Sequence, residues 1–123
     1  MSEQTFGKRI WFFPDGDLPP AGDVEPHGHE SLVILNPNVG DAQIVLTIYY
    51  TDAPPVEINV GLVSEKRVRC IRTDEPIGHQ GYRIPEGQYA LKITSTVPVI
   101  CQIGRMDVRQ PNLAYYTVMG YGV

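Results

Sequence analysis

Apolar and polar residues alternate with a period of two through much of the chain, most clearly over 42–51. Ala42, Ile44, Leu46, Ile48 and Tyr50 fall on one side, and Gln43, Val45, Thr47, Tyr49 and Thr51 on the other. That is the signature of a strand buried on one face. The first side must meet a core, while the mixed second side suits solvent, a ligand or another subunit. Upstream, His29–Asn36 carries another β-branched run, and Asn36-Pro37-Asn38-Val39-Gly40-Asp41 between the two is made of turn formers. Pro37 fixes its own φ and pushes Asn36 out of the helical region, and Gly40 tolerates positive φ. The pattern predicts a β-hairpin with strands at 30–36 and 42–50.

The same grammar recurs on either side. After a polar N-terminal tail (1–8), Arg9–Phe13 reads as a strand, Pro14–Asp17 as a turn, and Leu18–His27 as a loop in which Pro19, Pro20 and Pro26 forbid a helix. Val56–Leu62 and Lys66–Ile71 alternate again. Thr73–Gly87, with Pro76, Gly78, Gly81, Pro85 and Gly87, predicts a long loop with a short bridge in its middle; such a length in a compact domain points to function. Gln88–Thr94 and Val97–Gly104 read as two strands around Ser95-Thr96, Arg105–Arg109 as a continuation, and Leu113–Met119 as a terminal strand. No stretch has a helical period with caps. About eight short strands predict an all-β, single-domain antiparallel β-sandwich over 1–123.

Composition narrows the function classes. At 123 residues with 42% hydrophobic positions, the chain suits one two-layer core. A net charge of −4 argues against electrostatically driven binding to nucleic acid or anionic membrane. Cys70 and Cys101 have no CxxC or metal-ligand spacing, sit in strand-like runs, and read as small buried hydrophobes. The N-terminus lacks a signal-peptide pattern and no apolar run approaches the ~20 residues of a membrane span, so the expectation is a cytoplasmic protein.

Three constellations could carry chemistry. His27, His29 and Glu30 offer ligand types for a divalent ion, as in metal-dependent cupins, yet Glu30 follows His29 directly and points to the opposite strand face. His79 is the only further histidine, so the set is thin. If Arg105–Arg109 is extended, Arg105, Asp107 and Arg109 share a face, and Gln110 lengthens the row. A carboxylate between two guanidiniums leaves N–H groups for an anion, a sugar hydroxyl or a neighbouring chain; a solvated ion-pair ladder uses the same residues. Finally, Trp11, Tyr49, Tyr50, Tyr82, Tyr89, Tyr115, Tyr116 and Tyr121 could stack on a ligand or fill sheet faces and subunit contacts. No catalytic triad, GxSxG elbow or phosphate-cradling loop is present, and nothing in the sequence argues for an enzyme, a cofactor or a catalytic residue.

Taken together, Trp11, Pro19-Pro20-Ala21-Gly22, His29-Glu30 with Val33-Ile34-Leu35-Asn36, Ile48–Asp52, Val97-Pro98-Val99 and Arg105–Gln110 occur in the order seen in the sensory rhodopsin transducer family, which the chain resembles from about Arg9 to Met119. The resemblance implies a β-sandwich assembled as a ring-like homotetramer, cytoplasmic, coupled to a membrane photoreceptor or another signalling protein. It also implies a broader role in binding small molecules, sugar-like ones included. By position it implies Trp11, His29, Glu30, Asn36, Tyr49, Arg105, Asp107, Arg109 and Gln110 as the ligand- or partner-binding set. In that reading Arg105 and Arg109 donate, Asp107 and Glu30 accept, and Trp11 or Tyr49 supplies an apolar platform. The alternative is a metal-dependent cupin-like enzyme or binder using His27, His29 and Glu30.

Overall fold

The computed structural model describes residues 4–123; the first three residues of the predicted tail lie outside them. The strands are β1 (Lys8–Leu18), β2 (His29–Asn36), β3 (Ala42–Tyr49), β4 (Val56–Val63), β5 (Arg67–Arg72), β6 (Gly87–Asp107), β7 (Ala114–Met119) and β8 (Tyr121–Gly122). Every pairing is antiparallel. The all-β sandwich expectation is met: β4-β3-β6-β1-β8 form one layer and β5-β2-β6-β7 the other.

The strand common to both layers is β6. Its first half pairs with β1 and β3, and its second half with β2 and β7. The sequence predicted two strands here, broken at Ser95-Thr96. Instead the chain bends and continues, with Ser95 Oγ and the Val97 backbone bonded to each other at 2.6 and 3.3 Å. This local bond turns the strand from one layer toward the other without reversing it.

The predicted hairpin of β2 with β3 does not form. The two strands are not hydrogen-bonded neighbours and lie in opposite layers. The 37–41 connection is an arch held by buried asparagines. Asn36 Nδ2 donates to the Gly40 and Val63 carbonyls at 2.8 and 3.1 Å, and Asn38 Nδ2 to the Phe6 and Pro98 carbonyls at 2.9 and 2.7 Å. The apolar faces of the two strands, Leu32 and Ile34 against Ala42, Ile44, Leu46 and Ile48, then meet across the core, each fully buried. Period two had identified those faces; it carries no information on which strand pairs with which.

β1 runs through Pro14 to Leu18, because the proline sits in an irregularity between Phe13 and Gly16 where the ladder needs no N–H. Cys70 is exposed and only Cys101 is buried; the β5 face that turns inward carries Arg67, Arg69 and Ile71. Arg69 reaches across to the edge of β4, donating to the Val60 and Leu62 carbonyls at 2.5 and 3.3 Å, and so blunts one open side of the sandwich. The predicted bridge within the 73–87 loop is present, between Ile77 and Tyr82.

Candidate functional site

Glu30 is an inward residue of β2 and is fully buried. A buried carboxylate is costly unless donors and a counter-charge meet it, and two strands, β1 and β6, supply them. Register sets Arg105 of β6 directly opposite Glu30, and its Nε donates to Glu30 Oε2 at 2.9 Å. Tyr89, on the other half of β6, donates its hydroxyl to Oε1 at 2.7 Å. The Asp17 backbone N–H of β1 donates to Oε2 at 3.2 Å. The Tyr89 ring reaches this position by packing against Gly16, where a Cβ would lie 2.6 Å from the ring; a larger residue there would displace it.

From Arg105 the cluster continues outward. Tyr116 of β7 is its cross-strand partner on the other side; the guanidinium lies 5.3 Å from that ring's centroid and donates to its hydroxyl. A second guanidinium nitrogen donates to the Asp15 carbonyl at 3.0 Å. Asp15, Ile103, Arg105, Tyr116 and Val118 line a small cleft of about 150 Å³ at this end. Burial opposes the Arg105 charge, but the hydrogen bond and attraction of Glu30 outweigh it and raise the pKa above the usual arginine value. Burial first, and then the Glu30 charge, push the Tyr89 hydroxyl far above the ordinary phenol range, so it remains a donor. The arrangement fixes orientation across four strands.

The remaining predicted residues are dispersed. Trp11 is buried, and its indole N–H is shared between the Lys8 and Val99 carbonyls at 3.1 and 2.9 Å, so it is core and presents no stacking face. Asn36 holds the arch described above. Tyr49 lines a separate apolar hollow with Pro14, Tyr50 and Gln88. Asp107 and Arg109 form a fork with each other, so the row divides: Arg105 belongs to Glu30 and Asp107 to Arg109. The side-chain and backbone hydrogen bonds of Arg109 hold the Asp107 carboxyl down to about 2. These two and Gln110 rim a polar cup with Asn112, Leu113 and Ala114, about 470 Å³ in volume.

His29 Nδ1 bonds the His27 carbonyl at 2.8 Å, and His27 pairs with Glu25 at 3.2 Å. The two histidines border a groove with Glu25, Arg72, Asp74 and Glu75, but Glu30 points away into the core. Among the described residues no three His, Cys, Asp or Glu side chains are grouped to hold a metal ion. Sequence reasoning did not place Tyr89, Tyr116 or the Asp15–Asp17 backbone in the cluster. One signal pointed there: Glu30 is in phase with Leu32 and Ile34, and Arg105 with Cys101 and Ile103, so both charges had to be buried and paired.

The two layers sharing β6 and the carboxylate–guanidinium cluster between them define a small all-β protein with no helix among the described residues. The chain belongs to the Anabaena sensory rhodopsin transducer family, whose profile matches residues 6–122. A solved structure described as Thermotoga maritima 1070 is 32% identical, with a TM-score of 0.82 over 95% of this chain and 96% of that one. The Anabaena sensory rhodopsin transducer itself is 31% identical, with a TM-score of 0.72 over 89% of this chain and 96% of that one. No curated protein gives a significant match.

Proposed function

We propose that this transducer-family chain is a non-enzymatic, cytoplasmic adaptor that works as a homo-oligomer, a tetramer by its family resemblance. It would pass on the binding of a small molecule, sugar-like ones included, or of a signalling partner such as a membrane photoreceptor. The observation that carries this reading is the continuous row Glu30–Arg105–Tyr116, which ties a buried carboxylate to β7. β7 is exposed along its whole length on both faces, with Tyr115, Tyr116, Val118 and Met119 open to solvent. An apolar edge without charge or proline is a site for pairing with another chain, and whatever covers it acts directly on the hydroxyl that holds Arg105. Signalling then needs only a ligand or partner that binds two states of this edge unequally. Arg109, Asp107 and Gln110, beside the start of β7, supply the polar fork suited to hydroxyl groups.

Solution mass and a thermal-shift panel of sugars, nucleotides, organic acids and divalent metals test the reading together. The expected result is a stable oligomer that Thr117→Lys, placing a charge on β7, reduces to monomer, and a midpoint raised by one organic ligand class. A wild-type monomer that no member of the panel stabilises would refute it. A shift with metal alone would favour the histidine-based alternative.

A further inference from the structure

The 73–87 loop carries a feature the adaptor reading does not use. Its central segment is locked by paired backbone bonds between Ile77 and Tyr82 at 2.8 and 2.9 Å. The Tyr82 hydroxyl is tied to that of Tyr50 at 2.5 Å. Gly78, at φ +75°, presses so closely on β4 that a Cβ would lie 2.6 Å from an Ile58 methyl carbon. The loop therefore stands as a fixed wall against β4, and the space between them is a cavity of about 290 Å³. It shares no lining residue with the Glu30–Arg105 cleft.

The floor of this cavity is apolar, made by buried Ile58 and Ile77. Its rim carries Glu57, His79 and Gln80, none of whose side chains has a hydrogen bond or ion pair within the described residues. That contrasts with the Asp107–Arg109 cup, where the two charged groups satisfy each other. Glu57 is the one carboxylate of the lining, which holds no lysine or arginine. A carboxylate oxygen, an imidazole nitrogen and a carboxamide oxygen are three acceptors, and a primary ammonium carries three donors. An apolar body on the same molecule would cover Ile58 and Ile77.

We propose that this cavity binds a small primary ammonium compound with an apolar body. The chain's net charge of −4 favours the approach of a cation. The inference is independent of the adaptor reading, because it concerns other residues and needs no oligomer.

Calorimetric titration of the full chain with benzylammonium chloride tests it, with benzyl alcohol and benzoate as neutral and anionic comparators. The expected result is saturable ammonium binding at least tenfold tighter than alcohol binding, with no saturation by benzoate. Glu57→Gln should abolish the preference for ammonium over alcohol, and His79→Ala and Gln80→Ala should each weaken ammonium binding several-fold. All three positions are exposed, so far-UV circular dichroism and the melting curve should match the parent. The proposal is overturned if ammonium shows no saturable binding at ~10 mM, a concentration above the ~1 mM dissociation constants of weak specific ligands. It is equally overturned if Glu57→Gln binds ammonium as the parent does.

Discussion

Replacing Arg105 by Met keeps most of the side chain's length and removes only the guanidinium. Glu30 then loses the donor at 2.9 Å and its counter-charge, keeping Tyr89 at 2.7 Å and the Asp17 N–H at 3.2 Å. Its side chain is fully buried and that of Arg105 only 12% exposed, so the carboxylate is left charged away from bulk solvent. Removing one member of such a pair costs about 3–5 kcal/mol, a large part of the ~5–15 kcal/mol stability of a typical domain. At this size the melting temperature should fall by about 10–20 °C. Glu30→Gln combined with Arg105→Met should be more stable than Arg105→Met alone, since the carboxamide oxygen still accepts from Tyr89 or Asp17 without a charge. Urea titrations of the single and double variants measure both effects. A single-variant cost under ~1 kcal/mol, as for an exposed ion pair, would refute the buried-pair account. So would a double variant no better than the single.

Gly16→Ala should destabilise the fold by about 1–3 kcal/mol through overpacking against the Tyr89 ring, read as a lower urea midpoint; an unchanged midpoint would show that the ring moves freely. Burial pushes the Cys101 thiol up to about 12. Its contribution to stability is therefore present below the ordinary thiol pKa and is lost as the pH rises from there toward 12. Cys101→Val should make the alkaline stability slope shallower by up to about 1.4 kcal/mol per pH unit, measured by urea unfolding between pH 8 and 11. The depressed Asp107 carboxyl works in the opposite direction: its contribution is present above the ordinary aspartate pKa and is lost as the pH falls toward about 2. Because Arg109 is 54% exposed, Asp107→Asn should cost under ~1 kcal/mol at neutral pH, and a larger loss would mean the fork braces the 108–113 turn.

The alternation of Ala42, Ile44, Leu46 and Ile48 was legible because a strand with one wet face must keep its apolar residues in phase. What the alternation could not reveal was partnership. β2 and β3 look like the arms of a hairpin, yet they do not pair: β2 finds β5 and β6 farther along the chain, and β3 finds β4, the next strand, and the distant β6. The decision between hairpin and arch rests on Asn36 and Asn38, whose side chains bond carbonyls as distant as Val63 and Pro98. Such long-range acceptors leave no local trace. The cluster was half legible for the same reason. Glu30 and Arg105 betray burial by their phase, whereas Asp15 and Asp17 take part through backbone atoms: a carbonyl that any residue has, and an N–H that any residue except proline has. Trp11 illustrates the converse: an aromatic at a strand start looks like a ligand platform until its indole N–H is found bonded to carbonyls within the fold.

The shared strand β6 has a consequence for how the chain comes into being. Synthesis delivers β1, β2 and β3 first, and the strand that each of them pairs with lies at residues 87–107. Phe13 must wait for Leu91, and Leu32 for Ile103. Until that segment emerges, β2 and β3 have only β5 and β4 to pair with, and the apolar face of β1 has no sheet to join. Domains dominated by such distant pairings fold slowly, and unpaired apolar strands are the species that aggregate. On the ribosome this protein should behave as one indivisible unit, protected by chaperones until its last third arrives and then closing at once around a single strand.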